Sequence, residues 1–385
     1  MIVERLAAQL LSGPPARSSV DVAHRLLAVQ GQDARGVRLA IRARTAGLVA
    51  ADVDRALTAD RSIVITWLNR GTLHLVRSAD YWWLHRLMAP PLFTANARRL
   101  AQEGVPPDAA DRGVAVIERA LAADGPLTRS QLRERIAAAG VRTEGQALVH
   151  ILMLASLRGI IVRGPMIGNE HAFALVRDWL PAPPAVPDRD SALATLARRY
   201  LAGHGPATDR DLAKWAGLPL RDARRGLAAI SAELDQRGDG LAALAAAHPA
   251  DRPDHADGAD GGHADGGGRA GYADGAGHDA DHGDDADHGD DRGHGAEGLP
   301  PPRLLGAFDP LLLGWESREP VVGPHRKIIT VNGVFRPFAL VRGRAVATWS
   351  IAGGEVTLKP FAQLTAADAA ALGADAADVR RFLAN

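Results

Sequence analysis

Gln30-Gly31-Gln32 sets two carboxamides two residues apart, each able to donate and to accept hydrogen bonds. Side chains at that spacing diverge on a helix but share one face of an extended segment. Gly31 between them and a helix start at Asp33 predict an extended or turned link. In such a link the amides could together hold one small polar object, such as a water molecule or a base edge. Spacing alone favours a plainer use, capping or loop solvation. Asp33 adds a carboxylate beside the pair, and it is also a natural helix N-cap.

Arginines offer a second kind of chemistry. Arg35, Arg38 and Arg42 stand at i, i+3 and i+7 and share one face of a helix predicted over 33–44. Arg221, Arg224 and Arg225 cluster near the start of a later helix. Either group could neutralise nucleic-acid phosphates, or could simply form a solvated basic surface. His74, in a predicted strand, could touch DNA or act as a hydrogen-bonded strand residue. Trp82 and Trp83 are assigned to structure rather than base stacking, and Asp309-Pro310 reads as a turn.

Other chemistries drop out. Without cysteine there is no disulfide framework, thiol nucleophile or cysteine zinc site. The lysines Lys214, Lys327 and Lys359 follow Ala213, Arg326 and Leu358, so the Gly-Lys pair of a P-loop is missing. None stands two residues after an acid, which removes the commonest metal-nuclease motif. No metal or other cofactor is expected. Apolar runs are short and interrupted, as at Arg158, so no membrane span is expected. The start of the chain lacks a secretory pattern, and the expectation is a cytoplasmic protein, nucleoid-associated if bacterial.

The charge balance, 45 basic against 45 acidic residues, conceals a division. Residues 247–300 carry a net −11 and the remainder +11, nearly all of it arginine, which suits phosphate recognition. The 247–300 segment, rich in Asp, Gly and His, has little apolar surface to offset ordering and is predicted to be a disordered insert.

The elements that must position these groups read as repeats of three helices and a hairpin, the winged-helix pattern. In 112–182, helices at 113–123, from Thr128 with a Gln131 capping box, and at 144–157 precede strands at 160–163 and 171–176. In 188–246, helices at 191–201, from Thr208 with Asp211, and at 219–230 repeat the pattern, with a wing split by the insert. The less regular first copy, 1–108, has helices at 20–28, 33–44 and 50–58, strands at 63–68 and 73–76 around Asn69-Arg70-Gly71, and an aromatic helix from Ser78. In 301–385, Asn332-Gly333, Arg342-Gly343 and Gly353-Gly354 mark an antiparallel meander that completes the third unit, followed by one or two Ala-rich helices over 366–383. The fold class is α+β: tandem winged-helix units with a β-rich C-terminal part.

Val29-Gln30-Gly31-Gln32 before an Arg-bearing helix, Arg70-Gly71-Thr72-Leu73-His74-Leu75-Val76, and Leu304-Leu305-Gly306-Ala307-Phe308-Asp309 leading into Leu311-Leu312-Leu313 carry a resemblance. Over most of the chain outside the insert, the sequence resembles the AlkZ/YcaQ-like winged-helix DNA glycosylases. The resemblance implies a glutamine–apolar–glutamine (or aspartate) catalytic motif at Gln30 and Gln32, here with Gly31 in the centre. It also implies hydrolysis of the N-glycosidic bond of alkylated purines, including crosslinked ones, in DNA repair. Gly314-Trp315-Glu316-Ser317-Arg318 departs from the His-Ala-Asp-Arg type of run common in that family. The expected partner is double-stranded DNA, bound by a monomer through Arg35, Arg38, Arg42, Arg70, His74, Arg221, Arg224 and Arg225. A non-enzymatic winged-helix regulator and a protein-interaction scaffold are the alternatives.

Overall fold

A computed structural model describes residues 1–168, 170–185, 187–245, 298–330 and 333–384 of the chain. Its N-terminal part opens with α1 (Ile2–Ala8), a helix outside the sequence reading. Ser18 caps α2 (Ser19–Leu26) by accepting from the Asp21 N–H at 3.1 Å. Leu27, at φ 63°, breaks that helix and turns the chain into the two-residue strand β1 (Val29–Gln30). Helices α3 (Ala34–Arg42) and α4 (Ala50–Thr58) follow, then strands β2 (Ile63–Leu68) and β3 (Thr72–Arg77). Asn69 and Gly71, at φ 50° and 82°, supply the left-handed positions that the reversal between β2 and β3 requires.

Helices α5 (Tyr81–Met88) and α6 (Leu92–Gln102), the latter also unforeseen, lead to a group of three helices and a hairpin. It comprises α7 (Pro107–Asp124), α8 (Arg129–Ala138), α9 (Ala147–Leu157), β4 (Ile161–Ile167) and β5 (Glu170–Leu175). The Thr128–Gln131 capping box forms at the start of α8, with Gln131 Oε1 accepting from the Thr128 N–H at 2.8 Å. The two hairpins merge. Ile65 of β2 lies opposite Arg163 of β4, giving one sheet in the order β1-β3-β2-β4-β5.

The unalternating apolar run of β2 is explained by that position, because the strand is buried on both faces. Ile63, Ile65 and Trp67 join the core that includes Leu148, Ile151 and Leu152 of α9. Val64 and Leu68 point the other way, into a core with Tyr81 and Leu84 of α5 and with Leu196 and Tyr200 further along the chain. Burying each such side chain is worth roughly 1.5–3 kcal/mol, so register here is strongly specified.

After the short α10 (Val176–Trp179), the third unit contains α11 (Arg189–His204), α12 (Asp209–Ala216) and α13 (Leu220–Ala229). Its hairpin corrects the sequence reading. Strands β6 (Leu234–Gln236) and β7 (Ala242–Leu244) pair with each other before the insert begins. Asp239 accepts from the Leu241 N–H at 3.0 Å and Gly240 takes φ 78°, so the turn closes locally and no wing is split.

The insert lies outside the described residues up to 297. By Leu299 the chain already packs on the core, and β8 (Arg303–Leu305) joins a separate sheet. Beyond the small α14 (Glu319–Val322), β9 (Phe338–Val341), β10 (Arg344–Ala352) and β11 (Glu355–Pro360) complete it in the order β11-β10-β9-β8. Arg342-Gly343 and Gly353-Gly354 make its tight turns, with φ positive at all four residues, as the type I′ hairpin loop requires. Asn332 of the third turn signal lies outside the described residues. The tail is one helix, α15 (Ala366–Leu383), packed on α3 and β8. Among the described residues, no helix is long and apolar enough to cross a membrane.

Candidate functional site

Gln30 lies opposite His74 across β1 and β3, and the Gly31 N–H extends the pairing to the Leu73 carbonyl at 2.7 Å. The backbone is extended and paired as far as Gly31 and bends at Gln32, and the two glutamine side chains meet. Gln30 Nε2 donates directly to Gln32 Oε1 at 2.8 Å. The amides thus orient one another, which leaves Gln30 Oε1 and Gln32 Nε2 as the outward groups. Gln30 is buried and Gln32 exposed. The Thr72 hydroxyl approaches Gln30 Oε1 at 3.5 Å, a long contact. A Cβ at Gly31 would come within 3.2 Å of Ile65 Cγ2, so Ile65 already fills the space a larger central residue would use. Asp33 caps α3 by accepting from the Gly36 N–H, which engages one of its carboxylate oxygens.

A small cleft opens beside Gln30. Asn69, Arg70 and His74 wall one side, and Trp215, Pro310 and Leu313 the other. Its volume, about 10 Å³, is on the scale of one water molecule. His74 is buried, and burial pushes its pKa down to about 4, with the nearby Arg70 charge adding to the shift. The ring is neutral at neutral pH. Its Nδ1 lies 3.0 Å from the Thr72 carbonyl, which can only accept, so Nδ1 carries the proton and Nε2 is the acceptor. Arg70 donates to the carbonyls of Lys214 and Trp215 at 2.6 and 3.1 Å. Both bonds come from Nη1, and they tie the β2–β3 turn to the C-terminal end of α12.

The arginine stripe on α3 divides. Arg35 is exposed; Arg38 is half-buried and donates to Asp54 at 2.7 Å. Both line a groove of about 790 Å³ bounded by Met166 and Gly168 at the β4–β5 turn and Gly353-Gly354 at the β10–β11 turn. Arg42 is not part of this surface. It is 2% exposed and bonds to Asp375, Asp378 and the Leu304 carbonyl at 2.8–3.0 Å. The helical period does bring Arg42 to the same face, but α15 covers that end of α3, and this removes it from the expected DNA contacts. Arg221, Arg224 and Arg225 are exposed on α13; Arg224 pairs with Asp209 at 2.7 Å. Trp82 and Trp83 donate from their indole nitrogens to the Pro181 carbonyl and to Asp80, at 3.2 and 3.1 Å.

The sequence reading missed two residues near the site. Asn69 of the β2–β3 turn contributes to the cleft, and Arg44 reaches the Asp309 carboxylate in the core. The Asn-Arg-Gly turn was itself the only signal for Asn69; for Arg44 there was none.

A profile of the family described as DNA glycosylase AlkZ-like matches residues 23–382. The chain is 27% identical to an interstrand DNA cross-link repair glycosylase of Streptomyces sahachiroi, across 98% of this chain and 94% of that protein. The solved structure of Streptomyces sahachiroi DNA glycosylase AlkZ superposes with a TM-score of 0.70 at 25% identity, covering 99% of this chain and 95% of that one. Sequence and tertiary structure agree over nearly the full length, and the chain belongs to the AlkZ-like family of DNA glycosylases.

Proposed function

We propose that this chain hydrolyses the N-glycosidic bond of alkylated purine nucleotides in double-stranded DNA, with Gln30 and Gln32 as its catalytic residues. The observation that carries this reading is the mutually oriented amide pair, with Gln30 at the end of β1 beside a cleft of water size. Alkylation at N3 or N7 makes the purine cationic, so it departs as a neutral base and needs no strong acid. The water oxygen bonds to C1′, the C1′–N bond breaks, and its electron pair goes to the base. One water proton passes to solvent. A glutamine carbonyl accepts from the water and fixes its direction but is too weak a base to deprotonate it, which restricts the enzyme to lesions that leave easily. Arg35, Arg38 and the α13 arginines hold phosphates of the duplex, and the protein acts as a monomer. The Streptomyces relative is named for interstrand cross-link repair, and purines joined in a cross-link fall within the same chemistry.

The test is incubation of the protein with duplexes carrying N7- or N3-alkylpurines, followed by measurement of free base. Release under single-turnover conditions supports the reading. Salt-sensitive duplex binding without release would overturn it in favour of a non-enzymatic DNA-binding protein.

A further inference from the structure

Asn69 suits the left-handed turn it occupies, but no hydrogen bond among the described residues accounts for its buried amide. The residue is 2% exposed, and neither Nδ2 nor Oδ1 has a hydrogen-bond partner among the described residues. Buried amides are paired in the great majority of cases, because an unpaired one loses its hydration without recompense. The exceptions ask for an explanation, and here the residue walls the same cleft as Gln30 and His74. Its backbone is held from both sides. Arg70 is bonded to the end of α12, and a Cβ at Gly217, the left-handed residue that ends α12, would come within 2.8 Å of the Asn69 carbonyl oxygen. The backbone that carries the amide is thus held in place before any substrate arrives.

We propose that Asn69 is a third water-orienting amide of the reaction, accepting from the attacking water through Oδ1 while Gln30 Oε1 accepts its other hydrogen. This inference rests on the proposed hydrolysis. With both hydrogens engaged by carboxamide oxygens, the water's lone pair is directed at C1′. The stoichiometry is that of the hydrolysis already described: the bond to C1′ forms from water, the base leaves with the glycosidic electron pair, and one proton is released. A cleft with about 10 Å³ of room and acceptors on Asn69, Gln30 and His74 meets the need of one water for two to four polar partners.

Asn69 has a competing structural use, because its φ of 50° is a conformation that asparagine and glycine tolerate best. The variants are chosen to separate the two. Asn69→Gly keeps the turn free of strain and removes only the amide; Asn69→Asp keeps an acceptor oxygen. Single-turnover base release from an N7-methylguanine duplex is measured for both, beside wild type and the Gln30→Ala, Gln32→Ala double variant. Duplex affinity and thermal stability are measured in parallel. The expected result is about a tenfold or greater loss of rate in Asn69→Gly, with affinity unchanged and melting temperature unchanged or raised. Asn69→Asp should recover part of the rate and make it climb with pH as the carboxylate ionises. Wild-type rate in Asn69→Gly, with the glutamine double variant impaired, would overturn the role of Asn69 alone and leave it a turn residue. Parallel losses of affinity and stability with the rate would do the same. Wild-type rate in the glutamine double variant would instead overturn the underlying reading of the site.

Discussion

Arg44 and Asp309 meet in a two-pronged ion pair at 2.9 Å, with both side chains wholly withdrawn from solvent. The remaining guanidinium hydrogens go to the Ala40 carbonyl and to the backbone and side-chain oxygens of Gln9, so all five are used. Asp309 in turn accepts from the Leu311 N–H at 2.9 Å. One cation therefore joins the end of α1, the end of α3 and the Asp309-Pro310 turn, which leads to the Pro310 and Leu313 side of the cleft.

Removing one partner of such a pair strands a buried charge. Asp309→Asn is expected to lower unfolding free energy by about 3 kcal/mol, read from urea denaturation. A loss below about 1 kcal/mol would show that the interior accommodates the unpaired guanidinium, as exposed pairs tolerate loss of a partner.

Gln30→Ala and Gln32→Ala should each slow base release by about 2–4 kcal/mol, on the order of thirtyfold to a thousandfold, with little change in duplex affinity. Because the two amides bond to each other at 2.8 Å, the double variant should be hardly slower than either single one. Gln32→Asp, which preserves the acceptor for Gln30 Nε2, should retain part of the rate. Additive losses would mean that the glutamines act separately.

Arg35→Ala should weaken binding to damaged and undamaged duplexes alike and flatten the salt dependence, as loss of a phosphate contact does. Arg42→Ala should behave differently. Its partners are Asp375 and Asp378 on α15, so the expected effect is a lower melting temperature with an unchanged salt slope. A salt-slope change in Arg42→Ala would place that residue at the DNA after all.

Three buried histidines contribute to the response to acid. Burial pushes His74 down to about 4, and His171 and His204 down to about 3. The unfolded chain takes up these protons near pH 6.5, while the folded chain does not. Their contribution to stability is therefore complete above pH 6.5 and lost progressively as pH falls toward 4 and then 3. Melting temperature should be flat from pH 8 to 7 and fall below 6.5. Both ring nitrogens of His171 lack partners among the described residues, so His171→Leu should make that decline shallower. An unchanged slope in this variant would assign the acid response to other groups.

The local features were legible because their partners are a few residues away. Thr128 with Gln131 and Thr208 with Asp211 cap their helices within one turn, and the Gly-bearing turns at 342–343 and 353–354 reverse the chain through their own backbone preferences. The two-residue spacing of Gln30 and Gln32 in an extended or turned link before a helix start determined that they could meet, and the bend at Gln32 was decided by the fold. Which contacts the arginines make was decided elsewhere. Arg35 and Arg42 lie on one helix, yet only Arg42 is covered, by carboxylates 333 and 336 positions away. Arg70 was drawn to carbonyls 144 and 145 residues on, and Asn69 became a wall of the cleft because α12 packs against its turn. Periodicity and capping act along a few bonds of chain and can be read in order. Burial, charge pairing and the enclosure of a cleft depend on which distant segments exclude water from the same place, and only the packed tertiary structure selects those segments.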